Sequence, residues 1–341
     1  MSSTPSVNAP QEPTESAGEA SGPAAAGGPP KRKQHRILMP RDAFRTVFLE
    51  MIFNPAGPDG RAEDEQATVI AKATGFFYQD GDETFIVTAR HNLTGRHWET
   101  NDFLSTVRLV EPTHLRVTLR KAPPADGGWS TTAGSTEMHI ALAQFGVCLI
   151  DEAWRPLWLE HPEMRAEMDV AALPFPDPGE MQIVPWELSD IGEDDQSRLW
   201  ITQDLSIAGY PFGLVSGPGL PLWIRGSIAS EPTLFYSHKG KPLPALLVDA
   251  RTRKGQSGSP VMLTRLPGTP ILSGAGEGSR LVGFAQGIHS RLIGVYTGRI
   301  SDESDLGFVW RMEEARKVCQ GVRPEYPFRP LPDADRHDWP A

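Results

Sequence analysis

The sequence has little of several features that mark whole classes of protein. Its 341 residues include only two cysteines, Cys148 and Cys319. Two cysteines are too few for the disulfide framework of a small secreted domain. Cys148 also lies within the apolar run 147–150, which is typical of a buried free thiol. The sequence therefore predicts two reduced thiols and no bridge between them.

Long apolar runs and an excess of positive charge are also lacking. No stretch approaches the roughly 18 apolar residues that a membrane span needs, and residues 1–30 lack the apolar core of a secretory signal. Lysine and arginine number 33 against 43 for aspartate and glutamate, a formal net charge of −10. Because phosphate binding needs a basic face, neither nucleic acid nor a membrane is expected as a partner. These patterns predict a soluble, cytoplasmic protein.

Both ends of the chain have compositions unlike the rest. Residues 1–38 are rich in Pro, Ala, Gly and Ser, and they bury too little surface to offset the entropy of ordering. We therefore expect a disordered N-terminal tail, and a second tail over residues 326–341. The first tail closes on a basic run at 31–36, which suits either a solvated charge cluster or the recruitment of an activating partner.

Between the tails, short apolar runs alternate with Gly, Pro, Asn and Asp. Many short strands separated by turn signals predict an all-β fold, as a barrel or a sandwich. A polar stretch at 177–200 separates two series of runs, so we expect an N-terminal domain over 39–195 and a C-terminal domain over 196–325. One helix is expected from Arg311 to about Cys319. The runs that predict strands are 47–49, 75–78, 84–87, 115–119, 147–150, 170–173, 206–208, 223–225, 245–248, 260–263, 281–284, 292–295 and 307–310.

The stretch RTRKGQSGSPVM, residues 251–262, suits neither an ordinary strand nor a helix. It places Ser257 between two glycines, directly before an apolar run. Residues without a Cβ let substrate and backbone N–H groups approach a serine closely, which would make Ser257 a nucleophile. The same composition is also typical of a turn that joins two strands.

A nucleophilic serine needs a base, usually a histidine that a carboxylate orients. Among nine histidines, His91 follows the predicted strand 84–87, where rigid scaffold gives way to a loop. Asp169 opens an apolar run, where a carboxylate is costly to bury unless it accepts good hydrogen bonds. Asp151 is the rival carboxylate, although its acidic neighbour favours a solvated turn. A capping histidine and a loop aspartate remain the alternatives.

Three motifs in this order resemble those of trypsin-like serine peptidases, in particular the bacterial trypsin-like peptidase domain proteins. Residues 88–91, TARH, resemble the signature TAxH, and residues 169–173, DVAAL, resemble the strand D-[IV]-A-x-L. Residues 255–260, GQSGSP, are similar to G-[DN]-S-G-G-P. The resemblance covers about residues 42–320. It implies two Greek-key β-barrels with the site in the cleft between them and a C-terminal helix packed on the outside.

The resemblance also implies roles for these residues. Ser257 would attack the scissile carbonyl, His91 would take and return the proton, and Asp169 would fix the tautomer and stabilise the imidazolium. The N–H groups of Gly255 and Ser257 would form the oxyanion hole. The substrate would be a protein or peptide, and the family's chemistry needs no metal or organic cofactor.

Three departures from the family pattern lead to further expectations. His91 and Asp169 are 78 residues apart, so an insertion or long loops are expected over about 96–145. Gln256 stands where digestive members have an aspartate that pairs with a newly cleaved N-terminus. A neutral side chain cannot form that pair, so activity should not need cleavage after Arg36. Ser259 replaces a glycine and is expected to crowd the leaving-group side.

Substrate preference is predicted from four positions. Arg251 stands six residues before the serine, where an acid would select Lys or Arg, so no such selectivity is expected. If Arg251 or Arg299 faces the pocket, acidic or polar side chains would be favoured. Thr297, Gly298 and Arg299 should form the edge strand that pairs with substrate backbone.

Three functions are consistent with these residues. The first is an intracellular serine endopeptidase that acts through an acyl-enzyme. The second is a catalytically silent or partner-activated module that keeps the fold to bind other proteins. The third is an esterase-like hydrolase, because the same three groups cleave esters; an α/β-hydrolase is disfavoured, since its strands and helices alternate along the chain.

Overall fold

The computed structural model describes residues 34–37, 41–105, 109–121, 129–132, 140–191, 199–273 and 280–325. Nearly all of its regular structure is antiparallel strand. The strands are β1 Gln34–Ile37, β2 Thr46–Phe53, β3 Thr68–Asp80, β4 Glu83–Thr88, β5 His114–Lys121, β6 Trp129–Thr132, β7 Leu142–Cys148, β8 Leu159–Glu160, β9 Ala171–Pro174, β10 Met181–Gln182, β11 Asp204–Gly209, β12 Leu222–Ile228, β13 Tyr236–His238, β14 Lys241–Leu243, β15 Ala245–Ala250, β16 Ser259–Arg265, β17 Pro270–Ser273, β18 Arg280–Phe284, β19 His289–Arg299 and β20 Leu306–Arg311. Every apolar run that predicted a strand overlaps one of them.

Helices are few and short in the described part of the chain. The α-helices are α1 Arg90–Thr94, α2 Leu188–Ile191 and α3 Met312–Ala315, and the 3₁₀ helices are Arg41–Phe44, Gly57–Asp59, Pro211–Gly213 and Arg316–Gln320. The predicted C-terminal helix is present as α3 and the 3₁₀ helix that follows it. Gly321 ends it with an ordinary negative φ of −78°, so the glycine is not a left-handed cap. A Cβ there would clash with the carbonyl oxygen of Glu160, and this close approach explains the glycine.

The first barrel is a curled sheet whose strands follow the order β10-β5-β2-β3-β4-β9-β8. Strand β7 lies off this path and also pairs with β5. Its strands alternate buried and partly exposed residues, as in β2, because one face of the pleat is turned to a core. The N–H of Leu157, just before β8, donates to the carbonyl of Leu149, just after β7, at 2.9 Å. This bond joins the two edges of the sheet and completes the first barrel.

The second barrel is closed, with the strand order β11-β12-β15-β20-β19-β16. Strand β16 closes it by pairing with β11, where Met262 lies opposite Ser206. Closure gives each of the six strands a partner on both sides along at least part of its length. Two hairpins, β13–β14 and β17–β18, lie outside this barrel.

Three large apolar cores hold the described part of the molecule together, beside a small cluster of Ala43, Phe44, Ile140 and Val184. One fills the first barrel, one fills the second, and the third lies between them. The third joins Phe76 and Val87 of the first barrel to Met262 and Trp310 of the second, and Val318 of the C-terminal helix packs into it. This shared core fixes how the two barrels dock. The predicted all-β fold of two barrels with a C-terminal helix is confirmed.

Several expectations about the segments have different outcomes. Within the predicted tail 1–38, residues 34–37 form β1, which pairs with β6, so the expectation of disorder is wrong for those four residues. The rest of that tail and residues 326–341 lie outside the described residues. The boundary expected at residue 195 also falls outside them and stays a prediction. No helix in the described part of the chain is long and apolar enough to cross a membrane.

The connection between β5 and β7 falls within residues 96–145, where an insertion or long loops are expected. These two strands pair directly with each other, with His114 opposite Cys148. The connection between them includes β6, which leaves the barrel to pair with β1. The described segments of this connection therefore add a separate two-stranded sheet, β1 with β6, beside the sheet of the first barrel.

Candidate active site

His91 and Asp169 are brought together by the pairing of β4 with β9. Thr88 lies opposite Ala171 at the end of that ladder, so the residues just beyond it on each strand meet at one end of the first barrel. His91 Nδ1 lies 2.7 Å from Asp169 Oδ2, and the backbone N–H of His91 donates to Oδ1 at 3.0 Å. Asp169 is only 1% exposed. Both carboxylate oxygens are therefore satisfied by His91, which fixes the ring and leaves Nε2 as its outward nitrogen.

Asp151, the rival carboxylate, belongs to a turn at the end of β7. Its Oδ1 accepts the N–H groups of Ala153 and Arg155 at 2.9 Å each, and its Oδ2 lies 3.0 Å from the Arg155 guanidinium. These hydrogen bonds, led by that of the Arg155 backbone, hold the pKa of Asp151 below its ordinary value. The structure does not bring Asp151 to His91.

Ser257 lies on the loop between β15 and β16 of the second barrel and opens on the same cleft as His91 and Asp169. The cleft has a volume of about 460 Å³. The Ser257 hydroxyl donates to the carbonyl of Thr297 at 3.0 Å, and among the described residues it makes no hydrogen bond to His91. The three candidate residues are thus assembled around one cleft, with the serine hydroxyl turned to the edge of β19.

The predicted oxyanion donors, the N–H groups of Gly255 and Ser257, donate to no acceptor in the described part of the chain. The carbonyl of Lys254 accepts the N–H of Phe212 at 2.6 Å. Because a trans peptide places its C=O and N–H on opposite sides, this bond turns the N–H of Gly255 away from Phe212. Both N–H groups are therefore available to an incoming acceptor.

The glycines of the serine loop are required by close packing. Gly255 has φ of +98° and Gly258 has φ of +88°, values that a residue with a Cβ rarely adopts. A Cβ on Gly255 would clash with the carbonyl of Tyr210, and one on Gly258 would clash with the carbonyl of Thr74. The loop therefore packs closely against backbone of both barrels, at Tyr210 of the second and at Thr74 of the first.

Two neighbours of Ser257 point away from the cleft. Ser259 is fully buried on β16, and its hydroxyl lies where a Cβ on Gly209 would be. The expectation that Ser259 crowds the leaving-group side is therefore wrong, because strand alternation directs this side chain into the protein. Gln256 is also fully buried, and its Oε1 accepts the N–H of Arg253 at 2.7 Å.

The candidate substrate-binding residues divide into two groups. Thr297, Gly298 and Arg299 line the cleft, whereas Arg251 is exposed and is not among its lining residues. Of the two arginines considered for the pocket, Arg299 is therefore the one that lines it. Two cations that sequence reasoning did not select, Arg253 and Lys254, do line it.

The edge of β19 has the form that a substrate strand needs. β16 pairs with β19 only as far as Tyr296, while Gly298 and Arg299 pair with β20 on the other side. On the β16 side the backbone from Thr297 to Arg299 has no strand partner among the described residues. An extended peptide can add there as one more strand.

The base of the cleft beside this edge is neutral. It includes Thr252, Tyr296 and Phe308, and the hydroxyl groups of Thr252 and Tyr296 are hydrogen bonded to each other. Burial raises the pKa of Tyr296 to about 12, so its phenol stays protonated at neutral pH. No group of three or more His, Cys, Asp and Glu among the described residues could hold a metal ion.

Two barrels thus meet at a cleft in which a His–Asp pair from one faces a serine between glycines from the other. This is the arrangement that the resemblance to trypsin-like serine peptidases implies, two barrels with the site between them. The order along the chain, His91, Asp169 and then Ser257, is the order that the family motifs imply.

Comparison with protein family models and with curated proteins gave no match. Among solved structures, the active form of the Rv3671c protease from M. tuberculosis is 14% identical, over 84% of this chain and 85% of that one, with a TM-score of 0.39. A serine endoprotease from Yersinia pestis is 13% identical, over 83% of this chain and 66% of that one, with a TM-score of 0.40. At these values, the roles of the site residues have to be argued from this chain's own geometry.

Proposed function

We propose that the protein is a serine endopeptidase that uses Ser257 as nucleophile, His91 as general acid–base and Asp169 as the orienting carboxylate. The observation that supports this best is the hydrogen bond of 2.7 Å between His91 Nδ1 and Asp169 Oδ2. It lies at the same cleft as a serine whose neighbouring N–H groups are free to bind an oxyanion. Acyl transfer through a serine needs all of these groups together.

In the proposed reaction, a peptide strand pairs with the edge Thr297–Arg299 and places its scissile carbonyl over Ser257. The Ser257 hydroxyl turns from Thr297 to His91 Nε2 and attacks the carbonyl carbon as its proton passes to the imidazole. The N–H groups of Gly255 and Ser257 bind the oxygen that becomes negative. His91 then protonates the leaving amine, and water hydrolyses the acyl-enzyme by the same route.

A fluorophosphonate probe tests the nucleophile directly. We expect covalent labelling of Ser257, located by mass spectrometry, and no labelling in Ser257→Ala or His91→Ala. Asp151→Asn is the matched control, because this carboxylate lies on a turn away from the cleft, and it should label as the parent protein does. Absence of labelling in the well-folded parent protein would contradict the proposal.

The Ser257–Thr297 hydrogen bond of 3.0 Å favours one alternative function. A serine held by a backbone carbonyl instead of by the base is a resting nucleophile, as expected for a silent or partner-activated module. Such a protein would label only after a peptide or a partner occupied the edge of β19. Labelling of the isolated protein at the full rate would exclude this alternative.

The proposed substrates are peptides without Lys or Arg before the scissile bond. Three cations, Arg253, Lys254 and Arg299, line the cleft against two carboxylates, Asp169 and Asp302, so positive charge is in excess there. A positively charged substrate side chain would meet like charge there, whereas an acidic one would be attracted. Cleavage of a peptide library mainly after Lys or Arg would contradict this preference.

The location in the cytoplasm and the recruitment of a partner through residues 31–36 remain predictions of the sequence. Cell fractionation with an antibody to the protein tests the first. Deletion of residues 1–33 followed by a comparison of captured partners tests the second.

A further inference from the structure

Thr74 lies at the contact between the two barrels and uses its polar groups across it. It is fully buried on β3 of the first barrel. Its hydroxyl donates to the carbonyl of Gly255 at 2.7 Å and accepts the N–H of Tyr210 at 3.0 Å. The direction of both bonds is certain, because a backbone carbonyl only accepts and a backbone N–H only donates. One side chain of the first barrel therefore holds two separate segments of the second.

The first of these segments is the backbone around Gly255. The carbonyl before this residue, that of Lys254, is held by the N–H of Phe212 at 2.6 Å, and its own carbonyl is held by Thr74. Both peptide planes that flank the glycine are thus fixed through their oxygens. A glycine at φ of +98° has little intrinsic preference for one orientation. These two anchors therefore set the direction of the Gly255 N–H.

The second segment is the turn that supplies the other anchor. Tyr210, whose N–H donates to Thr74, directly precedes the 3₁₀ turn Pro211–Gly213 that contains Phe212. Phe212 has φ of +55°, a conformation that a residue with a side chain adopts only when its surroundings hold it there. The Thr74 hydroxyl thus binds the Gly255 carbonyl directly. Through the N–H of Tyr210 it also holds the turn whose Phe212 binds the carbonyl of Lys254.

We propose that Thr74 is a positioning residue for the oxyanion hole: its hydroxyl orients the Gly255 N–H from the opposite barrel. The inference rests on the proposed peptidase function. Thr74 touches neither substrate nor the reacting atoms in this role and acts only through the serine loop. Oxyanion donors contribute to rate by being oriented before the reaction, so losing their support should reduce kcat and leave substrate binding largely intact.

Two contacts that remain after removal of the hydroxyl make the test specific. The carbonyl of Ser257 accepts the backbone N–H of Thr74 at 3.1 Å and the side-chain amide of Asn92 at 3.0 Å. Neither depends on the Thr74 side chain. Thr74→Val keeps the shape of the side chain and deletes only the hydroxyl, so the nucleophile itself should stay in place and still react with the probe.

The test compares three variants: Thr74→Val, Thr74→Ser and Thr46→Val. Thr46 is also a fully buried threonine on the neighbouring strand β2, and its hydroxyl has no hydrogen-bond partner in the described part of the chain. The steady-state rate of peptide cleavage is divided by the concentration of active sites, which fluorophosphonate titration gives. Unfolded molecules are then not counted in kcat. The affinity of a peptide aldehyde, whose hemiacetal oxygen occupies the oxyanion hole, is measured beside it.

We expect Thr74→Val to lower kcat by about 10²-fold with KM changed by about twofold or less, and to weaken the aldehyde by a factor similar to that for kcat. Thr74→Ser and Thr46→Val should stay within about threefold of the parent protein. A kcat of Thr74→Val within that same range, an equal loss in Thr46→Val, or a loss confined to KM would overturn the inference. Lack of labelling and of cleavage by the parent protein would instead overturn the proposed function, so the two failures are distinguishable.

Discussion

The two halves of the candidate site are held in different ways. His91 and Asp169 belong to one barrel, on segments that follow and precede directly paired strands, and they bond to each other. Ser257 belongs to the other barrel, and the carbonyls of its loop are bonded by Thr74 and Asn92 of the first. The acid–base half is therefore complete within its own barrel, whereas the nucleophile half takes its final shape only when the barrels dock.

This difference indicates which changes should affect which half. A change within the first barrel can remove the acid–base pair without moving the serine loop. A change at the contact between the barrels can loosen the serine loop and leave the pair intact. The core shared by Phe76, Val87, Met262 and Trp310 docks the barrels and thereby helps to align the loop.

The largest expected effect is that of Asp169→Asn on the acid–base half. An amide can donate where the carboxylate only accepts, so His91 would be held in the wrong tautomer, and we expect kcat to fall by about 10⁴. Peptide cleavage at neutral pH measures it. Asp151→Asn should leave kcat within about twofold. Equal losses in both variants would mean that the structural pairing of His91 with Asp169 does not determine the rate.

The second effect is on stability and concerns the support of the same half. Arg90, next to His91, forms a buried ion pair with Glu160, with Nε and Oε1 2.7 Å apart and side chains 5% and 4% exposed. Glu160→Gln removes the negative charge that faces a buried guanidinium and should lower the free energy of unfolding by about 3–5 kcal/mol. Denaturant unfolding measures this change.

A matched exposed pair in the second barrel provides the control for that measurement. Arg225 and Asp204 are bonded to each other but have side chains 78% and 67% exposed. Water screens such a pair, so Asp204→Asn should leave the denaturant midpoint close to that of the parent protein. If both substitutions cost the same, burial would not explain the difference between the two regions.

A smaller effect is expected on substrate choice at the open edge of β19. Arg299 lines the cleft and is held by Asp302, which accepts from its guanidinium at 3.1 Å. Arg299→Ala should lower kcat/KM for peptides with an acidic residue before the scissile bond by about fivefold relative to neutral peptides, as expected for a partly screened charge pair. Arg251→Ala, at an exposed position outside the cleft, should leave that ratio unchanged, and a larger effect of Arg251 would reverse this assignment.

The smallest effect is expected at the N-terminal segment. Gln256 is buried and bonded to the backbone of Arg253, and Arg36 lies within β1, opposite Ser130 of β6. Since the neutral amide of Gln256 cannot pair with the charge of a new N-terminus, Arg36→Ala should be as active as the parent protein. A folded but inactive variant would show that cleavage at this position activates the enzyme.

Much of the fold was accessible from local patterns. Apolar runs bounded by turn residues predicted the strands that build the barrels, because alternation and strand length are properties of a few neighbouring residues. Strands such as β1, β6, β13 and β14 were not predicted, since their residues are polar and their pairing depends on segments far apart in sequence. The direction of Ser259 was also missed, because a motif gives residue types and not the side to which each side chain points.

The sequence by itself determined the residue types of the site and their order, since His91, Asp169 and Ser257 each stand at the boundary of an apolar run. Only the tertiary structure decided how they are held. In the sequence, Thr74 is one polar residue beside an apolar run. Its sequence neighbours do not indicate that its hydroxyl donates to Gly255, 181 positions further along the chain. A hydrogen bond across two docked barrels depends on the packing of both, and that information is not contained in any local stretch of residues.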